Sequence, residues 1–146
     1  MDFGQFILMR HELLLIFAAV AILVAEIFTS DNNKSHIINF TLCLFALVTI
    51  IGFIPGQTGN LFGGSFQSSQ LTIFMKNTLN LAVLIVFLQA EGWLRKPENA
   101  NKISEFFILT LSTLIGMNFM ISAGDFLIFY IGLETATIPI AGLAAF

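Results

Sequence analysis

Charge is scarce in this chain. Six Lys and Arg and nine Asp and Glu among 146 residues make 10%, where a soluble domain carries about 25%. With 57% hydrophobic residues and a mean hydropathy of +0.91, the polar material cannot cover a globule in water, so soluble classes are excluded. The net charge of −3 is spread along the chain, which excludes a basic surface for nucleic acid. Cysteine occurs once, at Cys43, so an internal disulfide or thiolate cluster is impossible. Its neighbours Leu42 and Leu44 predict a small buried hydrophobe there. His11 and His36 flank apolar runs with no second ligand at helical spacing, so both read as interfacial and no metal site is expected. No G-x-G-x-x-G is present, and no alternating ten-residue strands that could close a membrane barrel.

What remains is long apolar runs. A helical span needs about 20 mostly apolar residues, and backbone groups in lipid must pair within their own segment. Five segments meet this: 5–28, 37–54, 71–88, 106–123 and 126–146. The fold class expected is all-α, a polytopic transmembrane bundle of about five helices forming one membrane domain over 1–146. Glu26 and the lack of a small-x-small site after the first run argue for a retained span, not a cleaved leader.

The connections differ in character. Residues 55–70 carry no charge and centre on Gly63-Gly64, which predicts a tight hairpin at the membrane surface. Residues 89–105 form the one strongly hydrophilic loop, with Trp93 as an interface anchor and Pro97 as a breaker. Gly124-Asp125 alone separates the last two spans. Lys34, Arg95, Lys96 and Lys102 fall on one side and Arg10 and Lys76 on the other, so the N-terminus is expected outside.

Glu134 lies within the otherwise uncharged run 126–146, roughly 13–14 Å inward from Asp125 at 1.5 Å per residue, near the midplane of a core about 30 Å thick. A carboxylate at that depth costs roughly 2.5–3.5 kcal/mol on insertion scales and marks a proton or ion path by default. The plainer alternative is a Glu that bonds a neighbouring helix. Leu127, Tyr130, Glu134, Thr137 and Ala141 share a face expected to look into the bundle. Phe129, Gly132, Ala136, Ile140 and Leu143 form the opposite face, expected to look toward lipid or a neighbouring helix. Pro139 cannot donate to the Thr135 carbonyl, so the helix is expected to kink or loosen there. Lys76 is a second candidate, although snorkelling to the interface is the plainer reading. Asp125 reads first as an N-cap and second as a point of water entry.

Residues 105–146 closely resemble subunit N of the proton-pumping NADH:quinone oxidoreductase, respiratory complex I, one of its antiporter-like membrane subunits. The motifs that carry the likeness are Glu105-Phe106-Phe107-Ile108-Leu109, Gly116-Met117, Asp125-Phe126-Leu127 and Tyr130-Ile131-Gly132-Leu133-Glu134, with Pro139 behind. Elsewhere the likeness is looser. Arg10-His11-Glu12-Leu13 resembles the family's Pro-Glu start with His11 in place of Pro. Lys76 matches a Lys of the family's third helix, but Ser69 stands where the family has Asp.

The resemblance implies a membrane subunit that couples electron transfer from NADH to quinone to proton translocation, with Glu134 in the proton path. It implies about fourteen helices in two inverted repeats, with the fifth-helix Glu working beside a Lys of the seventh; this chain looks like the N-terminal third. NADH, FMN, iron–sulfur clusters and quinone are then expected on other subunits, with no redox centre or cofactor here. The implied partners are the other membrane subunits of complex I and the lipid bilayer, in a bacterial inner membrane. Two alternatives stay open: a subunit of a cation/proton antiporter or membrane-bound hydrogenase, and a non-transporting five-helix scaffold.

Overall fold

In a computed structural model, residues 9–29, 35–54, 59–61, 64, 66–96 and 102–145 are described. Five helices follow in chain order: α1 (Arg10–Phe28), α2 (Ser35–Gly52), α3 (Gln70–Leu94), α4 (Ile103–Ile121) and α5 (Phe126–Ala144). α1, α3, α4 and α5 are long and apolar enough to cross a membrane, judged by length and composition. Each alternates direction with the last, so the starts of α1, α3 and α5 and the ends of α2 and α4 share one end of the bundle.

Between α2 and α3, β1 (Gly59–Leu61) and β2 (Phe66–Ser68) pair antiparallel, with Leu61 opposite Phe66 and Gly59 opposite Ser68. The expected hairpin is therefore present. Gly64 takes φ +95°, a conformation that side chains rarely adopt. The hairpin also docks on the α4–α5 connection. Gln67 N donates to the Ser122 carbonyl at 2.7 Å, and Phe66 bridges to Ala123. That connection spans four residues, Ser122 to Asp125, instead of the expected Gly124-Asp125 alone.

Ser69 explains where α3 begins. Its hydroxyl accepts from Thr72 N at 3.3 Å while the Thr72 hydroxyl accepts from Ser69 N at 2.7 Å, a reciprocal capping box. The helix then runs to Leu94, six residues beyond the expected end at 88. Residues 89–94 extend it because Arg95 reaches back one turn to Glu91, Nε to Oε1 at 2.9 Å, and Arg95 Nη2 also donates to Asn39 Oδ1 on α2. Trp93 therefore sits in the last turn of a helix. α4 likewise starts three residues earlier than expected and ends two earlier. Pro97 lies outside the described residues.

α1 packs on α2 and α4, and α3 also packs on α2 and α4, so α1 and α3 face each other across a four-helix ring. Away from the hairpin the ring is filled with apolar side chains: Phe87 meets Phe45 edge-on at 5.1 Å and Phe107 at 4.9 Å between centroids. α5 stands outside and lies on α4, where Gly116 touches Gly132 and Ala136. Gly132 and Ala136, four apart, form the small-residue face that lets two backbones approach in lipid. Pro139 does not end α5, which continues to Ala144.

Several hydroxyls in the spans bond within their own helix. Thr49, Thr110, Ser112, Thr135 and Thr137 each donate to the carbonyl four residues earlier, at 2.8–2.9 Å, so they carry no unmet hydrogen bond toward lipid. Cys43 is exposed on the outer face of α2, not buried as expected, because Thr41, Phe45 and Val48 take the inner positions.

Candidate functional site: an ion pair across the helix ring

The first turn of α1 carries Arg10-His11-Glu12, and α3 carries Lys76-Asn77 about two turns in, roughly 9 Å from its start at 1.5 Å per residue. Because α1 and α3 face each other across the ring, these residues meet inside it. Lys76 Nζ lies 2.6 Å from Glu12 Oε1, with the two side chains 1% and 0% exposed. Beside them His11 Nε2 donates to Asn77 Oδ1 at 2.8 Å; that oxygen can only accept, so Nε2 carries the proton. Arg10 Nη2 donates to the carbonyls of Gly52 and Ile54 at 3.2 and 2.7 Å and so caps the end of α2. A side chain at Gly52 would have to displace the His11–Asn77 pair. A Cβ would fall 2.8 Å from Asn77 Oδ1 and 3.2 Å from His11 Nε2.

Phe66 closes the site on the hairpin side. Fully buried, its ring lies 4.9 Å from Lys76 Nζ and meets Phe119 of α4 edge-on at 6.1 Å. The pair is thus removed from solvent by the hairpin as well as by the helices. Burying two charges costs several kcal/mol each, and their attraction offsets this only while both are present. Removing one partner from such a pair typically costs about 3–5 kcal/mol.

The three residues singled out in the sequence fall in three different places. Lys76 does not snorkel: its stem points into the ring because residues 76, 77, 80, 87 and 94 form the buried face of α3. Asp125 is exposed at the bundle end, where Oδ1 accepts from Ile128 N at 3.0 Å as the N-cap of α5. Glu134 is half-buried and does not look into this bundle. Gly132 and Ala136 occupy the contact with α4, and a residue two positions from each is turned about 200° away from it. The face bearing Glu134 is the open one, flanked by exposed Leu127, Tyr130 and Ile138. Among the described residues no hydrogen bond or ion pair involves its carboxylate.

Sequence reasoning did not identify Glu12 as Lys76's partner, nor the His11–Asn77 bond. His11 was expected at the interface and is 3% exposed. A signal did exist: Lys76, Asn77 and Asn80 fall on one face of an otherwise apolar helix, and one Glu opens the first span.

Membrane-length helices with a charge pair sealed between them define a polytopic integral membrane protein. No family model matches the chain. Relatives match it along all or most of its length: subunit N of the NADH-quinone oxidoreductase of Azobacteroides pseudotrichonymphae is 44% identical over 148 residues, covering 100% of this chain and 31% of the relative. The subunit N of Phocaeicola vulgatus is 36% identical over 146 residues with the same coverage, and that of Herminiimonas arsenicoxydans 32% identical over 140 residues, covering 92% of this chain. The chain belongs to the NADH-quinone oxidoreductase subunit N family, and it spans about a third of the length of these relatives.

Proposed function

We propose that this chain works in the membrane arm of a proton-pumping NADH:quinone oxidoreductase and contributes to proton translocation. The observation that carries this is the match to subunit N over the whole chain, at 44% identity. Electron carriers sit on other subunits in this reading: NADH, FMN, iron–sulfur clusters and quinone are bound elsewhere. Partners are the other membrane subunits and the lipid of a bacterial inner membrane. The hairpin end faces outside, since Arg95, Lys96 and Lys102 gather at the other end.

Glu134 is the proposed proton-path residue of α5. Its carboxylate stands on the open face of the outermost helix, well inside an apolar segment, where an ionisable side chain is costly and by default marks a functional path. A helix contributed by the remainder of the protein or by a neighbouring subunit covers it. Lys76 acts through Glu12 in this scheme, and Asp125 serves α5 as its cap.

The test is purification. The full-length protein carrying an affinity tag, drawn from gently solubilised membranes, is expected to bring with it NADH oxidation coupled to quinone reduction. Recovery free of that activity and of companion subunits, from membranes that retain the activity, would contradict the proposal.

A further inference from the structure

The hairpin end of the ring holds more polar groups than the contacts they make. Asn80, one turn beyond Lys76 on the same face of α3, is fully buried, and neither its amide nitrogen nor its oxygen has a partner among the described residues. Asn118 on α4 is in the same state, as is the hydroxyl of Ser122 one turn further on. Glu12 keeps Oε2 without a hydrogen bond. These groups come from α1, α3 and α4 but all lie toward one end. Phe66 links them: its ring contacts both Lys76 and Phe119, the residue after Asn118, and its strand is bonded to the Ser122 carbonyl. Each Asn brings two donor hydrogens and an acceptor oxygen into a span where Leu would cost nothing. Buried groups of this kind are commonly satisfied by internal water, which makes about three hydrogen bonds where it is held.

We propose that the Glu12–Lys76 pair is a second protonation site, reached through internal water held by Asn80 and Asn118. The site rests on the proton-translocation reading above and is separate from Glu134, which faces away from the ring on α5. A proton passes between Nζ and Oε1, 2.6 Å apart: an N–H bond breaks with its electron pair left on Nζ, and an O–H bond forms. Ammonium and carboxylate become amine and carboxylic acid with no change in net charge. The amine then takes a proton from water on one side, and the acid releases one to water on the other, restoring the pair. Among the described residues, the other charged or titratable groups at this end are Arg10 and His11 on α1 and Asp125, which lies exposed as the cap of α5 outside the ring. Arg10 is held on the α2 carbonyls and His11 on Asn77, which leaves Glu12 and Lys76 as the exchanging groups.

The test uses the intact complex with Glu12→Gln and Lys76→Met, singly and together. Each single change is expected to reduce the assembled complex, and the double change to restore assembly. The double variant is nevertheless expected to pump about twofold fewer protons per NADH, or worse, because neither remaining group can exchange one. Full pumping by an assembled double variant would overturn the site and leave the pair a structural clasp. Should the double variant fail to assemble, turnover-triggered infrared difference spectra decide. A protonated-carboxyl band in the wild type that moves in Glu12→Asp supports the site; a spectrum unchanged by Glu12→Asp overturns it. Loss of pumping in Glu134→Gln alongside full pumping in the double variant would remove this site only, and full pumping in both would remove the broader reading as well.

Discussion

Gly116 of α4 and Gly132 of α5 face each other so closely that a methyl on either would strike the other's carbonyl oxygen, at 2.7 and 2.8 Å. This reciprocal contact decides which way α5 is turned, and with it that Glu134 faces outward. Two backbones in such contact gain dispersion along their whole length, the main attraction available between helices in lipid.

Gly116→Leu should therefore separate α4 from α5. Overpacking costs about 1–3 kcal/mol where neighbours can move, and here the neighbours are backbone, so the upper end or beyond is expected. Thermal unfolding of the purified protein in detergent would show a lowered midpoint. A midpoint equal to wild type would mean that α5 does not rest on α4 through this face.

Lys76→Met leaves Glu12 buried without its cation and should destabilise by about 3–5 kcal/mol. Adding Glu12→Gln should recover most of that loss, because a buried neutral amide costs less than a lone carboxylate. Unfolding midpoints of the two single variants and the double variant check this. Simple additivity of the single effects would show that the residues do not interact.

Gly52→Ala places a Cβ 2.8 Å from Asn77 Oδ1 and should break the His11–Asn77 bond, at about 1–3 kcal/mol. In an Asn77→Ala background the same change should cost much less. Equal costs in both backgrounds would place the strain elsewhere.

Orientation can be read by labelling. With Cys43→Ala as the base, a cysteine at Lys96 should react with an impermeant maleimide only after cells are permeabilised. Reaction in intact cells would reverse the assignment, since Lys96 is at the end opposite the hairpin.

The helices were legible because hydrophobic run length speaks directly to a bilayer, and the hairpin because Gly63-Gly64 stands between two short polar-apolar runs. Helix ends were less so: Ser69 and Thr72 set one through a capping box, and the Arg95–Glu91 contact carried α3 into what reads as a loop. The Glu12–Lys76 pair was hidden for a different reason. Its partners are 64 positions apart and meet only because α1 and α3 face each other across the ring, a fact of packing order that no local pattern encodes. Glu134 was conspicuous by its depth, but its direction depended on Gly132 and Ala136, whose role becomes visible only once Gly116 is opposite them.

The most direct measurement is proton uptake into sealed membrane vesicles, taken with the NADH:quinone rate, for Glu134→Gln in the full-length subunit. The amide is nearly isosteric and stands on the open face of α5, so the complex should assemble and oxidise NADH, while protons moved per NADH fall. Undiminished pumping at normal assembly would contradict a proton-path role for Glu134 and leave it a polar contact to a covering helix.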